Sequence, residues 1–127
     1  MAGANRASAV LCSTDLARSQ DFYENTVGLS LSPDTITNHL LFECGDGTTL
    51  LVYGRPSPST ADHTQVRFWS EDVAADVKAL TARGVVFEEY DFPTLKTVEG
   101  IATTPGIGTS AWFKDPDGNT LALFQPE

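Results

Sequence analysis

Basic residues are scarce in this chain: 8 Lys and Arg stand against 17 Asp and Glu, a formal net charge of -9. That balance leaves no positive footprint for a phosphate backbone or an anionic lipid surface, so neither nucleic acid nor membrane is expected as a partner. Cysteine is limited to Cys12 and Cys44, too few for a disulfide framework and in no paired C-x-x-C spacing. Long hydrophobic runs are missing too. No segment approaches the ~20 apolar residues of a membrane span, and the stretch from Met1 to Arg6 has no apolar leader core, so a cytoplasmic protein is expected. Compositional bias is equally absent, with 41% hydrophobic and 20% charged residues over 127 positions. Such a chain folds by burial, and its length suits one domain, 1–127.

What the chain has is an internal repeat. Phe42 to Tyr53 aligns without a gap on Phe113 to Phe124, with five identities in twelve positions. Each copy reads as strand, Asp-Gly turn and strand, a strong hairpin signal. Upstream of each hairpin lies a strand-like run, Ser8 to Asp15 and Gln65 to Asp72, leading into a helical pattern. Thr14 or Asp15 is placed to cap a first helix carrying Leu16, Phe22 and Tyr23, which Gly28 ends. In the second copy Ser70 to Asp72 supplies cap candidates, Val73, Val77 and Leu80 form an apolar stripe, and Gly84 is the stop. Two βαβββ modules are therefore expected, approximately 6–56 and 63–127, with a linker at 57–62. The helix stripes are packing surfaces in this reading, because an amphipathic helix on a sheet needs one apolar face.

The copies differ in length. Gly28 to Phe42 spans 14 residues and Gly84 to Phe113 spans 29, so the second module carries 15 extra residues. The excess, placed at 94–108 and containing Pro105, Gly100, Gly106 and Gly108, is expected to be a surface loop, with a lid or pocket rim as the alternative.

The residues Ser13-Thr14-Asp15-Leu16-Ala17-Arg18-Ser19-Gln20-Asp21-Phe22-Tyr23, then Val27-Gly28-Leu29, and Trp112-Phe113-Lys114-Asp115-Pro116-Asp117-Gly118-Asn119 resemble the vicinal-oxygen-chelate superfamily. That superfamily holds glyoxalase I, bleomycin-resistance proteins, fosfomycin-resistance thiol transferases and extradiol dioxygenases. The resemblance implies an α+β fold in which two βαβββ modules form a curved mixed sheet, helices outside, around a concave ligand cavity. It also implies where the metal enzymes of the family carry their His and Glu ligands: at Ser8 and Leu51 in the first module, and at Gln65 and Ala122 in the second. Leu51 and Ala122 have no donor atom, and Ser8 and Gln65 offer only neutral oxygens. No metal and no cofactor are expected on this basis, and no catalytic residue is assigned.

Taking those four positions as inward-facing, alternation along each strand turns their neighbours inward as well. Val10 and Cys12, then Arg67 and Trp69, then Tyr53 and Phe124 follow. The family's pocket Tyr position falls on Trp112, with Leu41 as its repeat mate, and His39 precedes Leu41. The expected ligand-binding set is thus Trp112, Trp69, Tyr53, Phe124, Arg67, Gln65, His39, Leu41, Leu51 and Ser8, with Arg67 and Gln65 orienting the ligand. Flat rings with a few fixed polar groups are typical of a small-molecule site. The resemblance is closest in character to the metal-free bleomycin-resistance branch, and it implies a homodimer that sequesters an aromatic or polycyclic natural product. The alternative is an isomerase, lyase or cyclase working in the same cavity, with Arg67, His39, Glu43 or Lys114 as acid or base. Cys12 reads as a small buried hydrophobe, and Asp115 to Asn119 as a hairpin turn.

Overall fold

A computed structural model describes residue 3 and residues 5–127. The chain divides into two compact units, one ending at Thr60 and the other running from Ala61 to Glu127. Each is a mixed α+β unit built on a four-stranded sheet.

The first unit holds β1 (Ala9–Ser13), α1 (Leu16–Asp21), β2 (Ser30–Leu31), β3 (His39–Glu43) and β4 (Thr49–Gly54). Asp15 caps α1, its carboxylate accepting from the Arg18 amide at 3.1 Å, which satisfies an amide that the helix cannot. After Asp21 the helix widens into a π turn, Phe22–Val27, that ends at Gly28 with φ of 96°. Only glycine adopts that angle without strain, so the stop read from the sequence has a backbone cause. The strands run in the order β1-β4-β3-β2, with β1 parallel to β4 and the other pairs antiparallel. Leu11, Val52 and Leu40 share one row, and Leu50 and Phe42 the next; all five are buried on the side that meets Tyr23. Fully burying a side chain of this size contributes roughly 1.5 to 3 kcal/mol.

The second unit holds β5 (Thr64–Trp69), α2 (Val73–Ala82), β6 (Asp91–Phe92), β7 (Leu95–Lys96), β8 (Ile101–Thr104), β9 (Gly108–Lys114) and β10 (Thr120–Pro126). Asp72 caps α2 by accepting from the Ala75 amide at 3.0 Å. The sheet order β5-β10-β9-β8 repeats that of the first unit, again with the first strand parallel to the last. Val73 and Leu80 of α2 are buried, as are Phe113, Ala111, Leu121 and Leu123 of the sheet.

The segment 94–108, expected as a surface loop, is largely ordered secondary structure instead. β8 pairs along β9, and β6 pairs with β7 as a small hairpin held by the Tyr90 amide donating to Thr97 Oγ1 at 2.8 Å. Its glycines serve geometry rather than looseness. Gly108 lies so close to the Gln125 and Pro126 backbone that a Cβ would not fit, and Gly100 takes φ of 80° in a tight turn. No helix among the described residues is long and apolar enough to cross a membrane.

Candidate ligand-binding faces

In the second unit, strand register sorts the expected residues. Arg67, Ala122 and Trp112 lie opposite one another across β5, β10 and β9, and the next row is Trp69, Phe124 and Ser110. Because rows two residues apart share a face, all of these point to the side opposite Phe113 and Leu121. The Trp69 ring meets the Phe124 ring edge to face at 5.2 Å, and the Arg67 guanidinium carbon lies 4.1 Å from the Phe124 centroid and 5.2 Å from that of Trp69. Phe124 is buried while Trp69 is 68% exposed. An indole left that open is not filling a core, since a core residue loses most of its water contact.

Trp112, half-buried, has Tyr90 edge to face at 5.4 Å and donates from its indole nitrogen to Thr64 Oγ1 at 3.1 Å. Neither neighbour was legible in the sequence. Tyr90 reaches Trp112 because the chain after α2 runs beside β9, where Phe87 bridges Phe113 and the Glu88 amide donates to the Trp112 carbonyl at 2.8 Å. Thr64 reaches it through a register shift in the β5–β10 pairing between Thr120 and Leu121, which sets Thr64, rather than Gln65, opposite Thr120. The same shift involves Gln65: its amide oxygen accepts from the Thr120 backbone N–H at 3.2 Å and closes the irregularity. Burial pushes the Tyr90 phenol above its ordinary value, and the Glu88 carboxylate adds to that.

In the first unit, Val10, Leu51 and Leu41 form one row and Cys12, Tyr53 and His39 the next, on the side away from Phe42. His39 stacks on Tyr53 with 25° between rings and 6.4 Å between centroids. Its Nδ1 lies 3.0 Å from the Thr37 carbonyl oxygen, which only accepts, so Nδ1 carries the proton and a neutral ring keeps its lone pair on Nε2. Ser8, expected on the first strand, lies exposed one residue ahead of β1. Cys12 is buried, in keeping with a packing role, and burial raises the Cys44 thiol.

The four positions at which the resemblance implies metal ligands do not make a donor set here. Leu51 and Ala122 present hydrocarbon, Ser8 stands outside the strand, and the Gln65 oxygen is taken by Thr120. Divalent ions of this chemistry need imidazole or carboxylate donors, so these positions do not fit one.

The family described as Glyoxalase/Bleomycin resistance protein/Dioxygenase superfamily matches residues 6–123. Among solved structures, the chain is similar to TnmS3, an antibiotic binding protein from Streptomyces sp. CB03234, at 27% identity and a TM-score of 0.69, covering 98% of each chain. It is also similar to a glyoxalase/bleomycin resistance protein from the same organism, at 27% identity and a TM-score of 0.64, covering 94% of this chain and 100% of that one. The fosfomycin resistance protein FosX from Listeria monocytogenes shares the fold, with a TM-score of 0.74 at 17% identity over 98% of this chain and 92% of that one. No match was found among curated proteins.

Proposed function

Since the chain belongs to the Glyoxalase/Bleomycin resistance protein/Dioxygenase superfamily, we propose that it is a metal-independent binding protein that sequesters a flat aromatic or polycyclic natural product without changing it. The observation that carries this reading is the ring array on one face of the second unit, where an exposed Trp69 stands on a buried Phe124 and Trp112 is braced by Tyr90 and Thr64. Rings held by neighbours present stacking area with little conformational freedom left to lose, which favours a planar ligand. The similarity to an antibiotic binding protein supports the same reading. Two copies of the chain pair in it, as a homodimer.

A second reading, catalysis in the same fold, draws on His39. Its Nε2 lone pair, fixed by the Nδ1 bond to Thr37, is the arrangement a general base needs. The two separate in one experiment. The protein is titrated with planar polycyclic compounds while tryptophan fluorescence is followed, and the bound compound is then recovered and weighed by mass spectrometry. Sequestration expects quenching, weaker binding in Trp112→Ala with a near-parental melting temperature, and recovery of the compound unchanged. No quenching across the panel, together with a collapse in stability of Trp112→Ala, removes the binding reading; recovery of a converted product replaces it with catalysis.

A further inference from the structure

Resting on the aromatic-binding reading, we propose that Arg67 makes this face select planar aromatic ligands that bear an anionic oxygen, a carboxylate or an ionised phenol, over neutral or cationic ones. The chain carries 17 acidic residues against 8 basic ones. Arg67 has no carboxylate partner among the described residues. It is held over two rings instead, 4.1 Å from the Phe124 centroid and 5.2 Å from that of Trp69. Such stacking fixes the guanidinium through its flat face and leaves its N–H edge, a five-donor fork matched to two-oxygen anions, without an acceptor among the described residues.

The position of this fork follows from the sheet. Arg67 begins a row that continues through Ala122 to Trp112, so the smallest side chain of the row lies between the cation and the indole. β5 and β9 each flank β10, so Arg67 and Trp112 are two strand spacings apart, about 10 Å. That separation suits a ligand whose ring system meets Trp112 while an oxygen at its edge meets Arg67. The other charged groups on this face are consistent with the polarity. Lys114 lies opposite Thr120, to whose Oγ1 it donates at 2.6 Å, two residues along from Trp112. Glu88 stands at the far end of the row, beyond Trp112 and beside Tyr90. The face therefore carries one cation on β5 and one on β9, with a carboxylate beyond β9, and Arg67 is the cation that faces Trp112 across Ala122.

The test uses anthraquinone-2-carboxylate, its methyl ester and 2-(aminomethyl)anthraquinone as matched probes, titrated into the full chain by tryptophan fluorescence and calorimetry. The carboxylate is expected to bind severalfold more tightly than the ester, as a charge-assisted bond to an exposed guanidinium does, and the amine more weakly than the ester. Arg67→Gln is expected to abolish that preference by weakening the carboxylate alone. Arg67→Met, which retains packing over Phe124, serves as the control for folding and is expected to behave like the Gln variant. Equal binding of carboxylate and ester, or a preference that survives in both variants, overturns the assignment while leaving the aromatic-binding reading intact. Failure of all three probes to bind overturns both.

Discussion

Tyr90 illustrates how a single residue takes its chemistry from contacts made far along the chain. Its ring packs on Trp112, 22 positions later, and its phenol is raised by burial first and by Glu88 second. Both causes favour the neutral phenol, so the folded-state value lies above the unfolded one. The stability tied to this group is thus fully present below the ordinary tyrosine range and is lost as pH rises through the raised folded value. In an absorbance titration of phenolate formation, the parent protein minus Tyr90→Phe is expected to show a midpoint above about 10, the unperturbed tyrosine value. A difference midpoint at or below that value contradicts the packing of Tyr90 against Trp112. At this scale the sequence was informative for Trp69, Arg67, Phe124 and Trp112, because alternation along a strand assigns a face. It was silent on Tyr90 and on the bond between Thr120 and Gln65, because one depends on which segment flanks β9 and the other on a register shift.

The two hairpins show the same division at the scale of elements. Their sequences align with Asp-Gly at the same place, yet their turns differ. In the first unit Asp46 and Gly47 both take positive φ, 56° and 73°, and the Thr48 amide donates to the Gly45 carbonyl, as in a tight two-residue hairpin turn. In the second, Pro116 fills the place of Gly45, and Asp115 organises a turn of the same length but different conformation, in which Gly118 takes positive φ and Asp117 does not. The Asp115 carboxylate is buried and accepts from the amides of Asp117 and Asn119 and from the Asn119 side chain at 2.8 to 3.0 Å. Replacing it with Ala leaves these donors without their acceptor and is expected to cost about 2 to 3 kcal/mol in denaturant unfolding. A loss within the half kcal/mol typical of an open surface site shows instead that water satisfies the turn. The Asp-Pro-Asp-Gly-Asn run predicts a structural turn, and its bonding agrees. The 94–108 segment forms paired strands where its sequence predicts a loop. Glycine and proline density signals turns, and turns occur as readily between short strands as in a loop, so only the pairing of β8 with β9 distinguishes them.

At the scale of the whole molecule, exposed sheet edges bear on assembly. Within their own sheets β1 and β5 are outermost strands, and a sheet edge presents unpaired backbone groups that proteins cover or pair. The proposed homodimer is one way to cover them, and light scattering is expected to give twice the 13.6 kDa chain mass. A chain that remains monomeric at micromolar concentration removes the dimer from the reading. What the sequence determined by itself was the repeated βαβββ plan, the helix caps at Asp15 and Asp72, the stop at Gly28, and the absence of donor side chains at Leu51 and Ala122. Each of these rests on local chemistry: periodicity, a side-chain oxygen near a free amide, a backbone angle only glycine tolerates, an element lacking from a side chain. What only the tertiary structure decided was the company each ring and charge keeps. Arg67 over Phe124, Tyr90 against Trp112 and Gln65 bonded to Thr120 join residues 22 to 57 positions apart, through strand pairings that no local window of the chain contains.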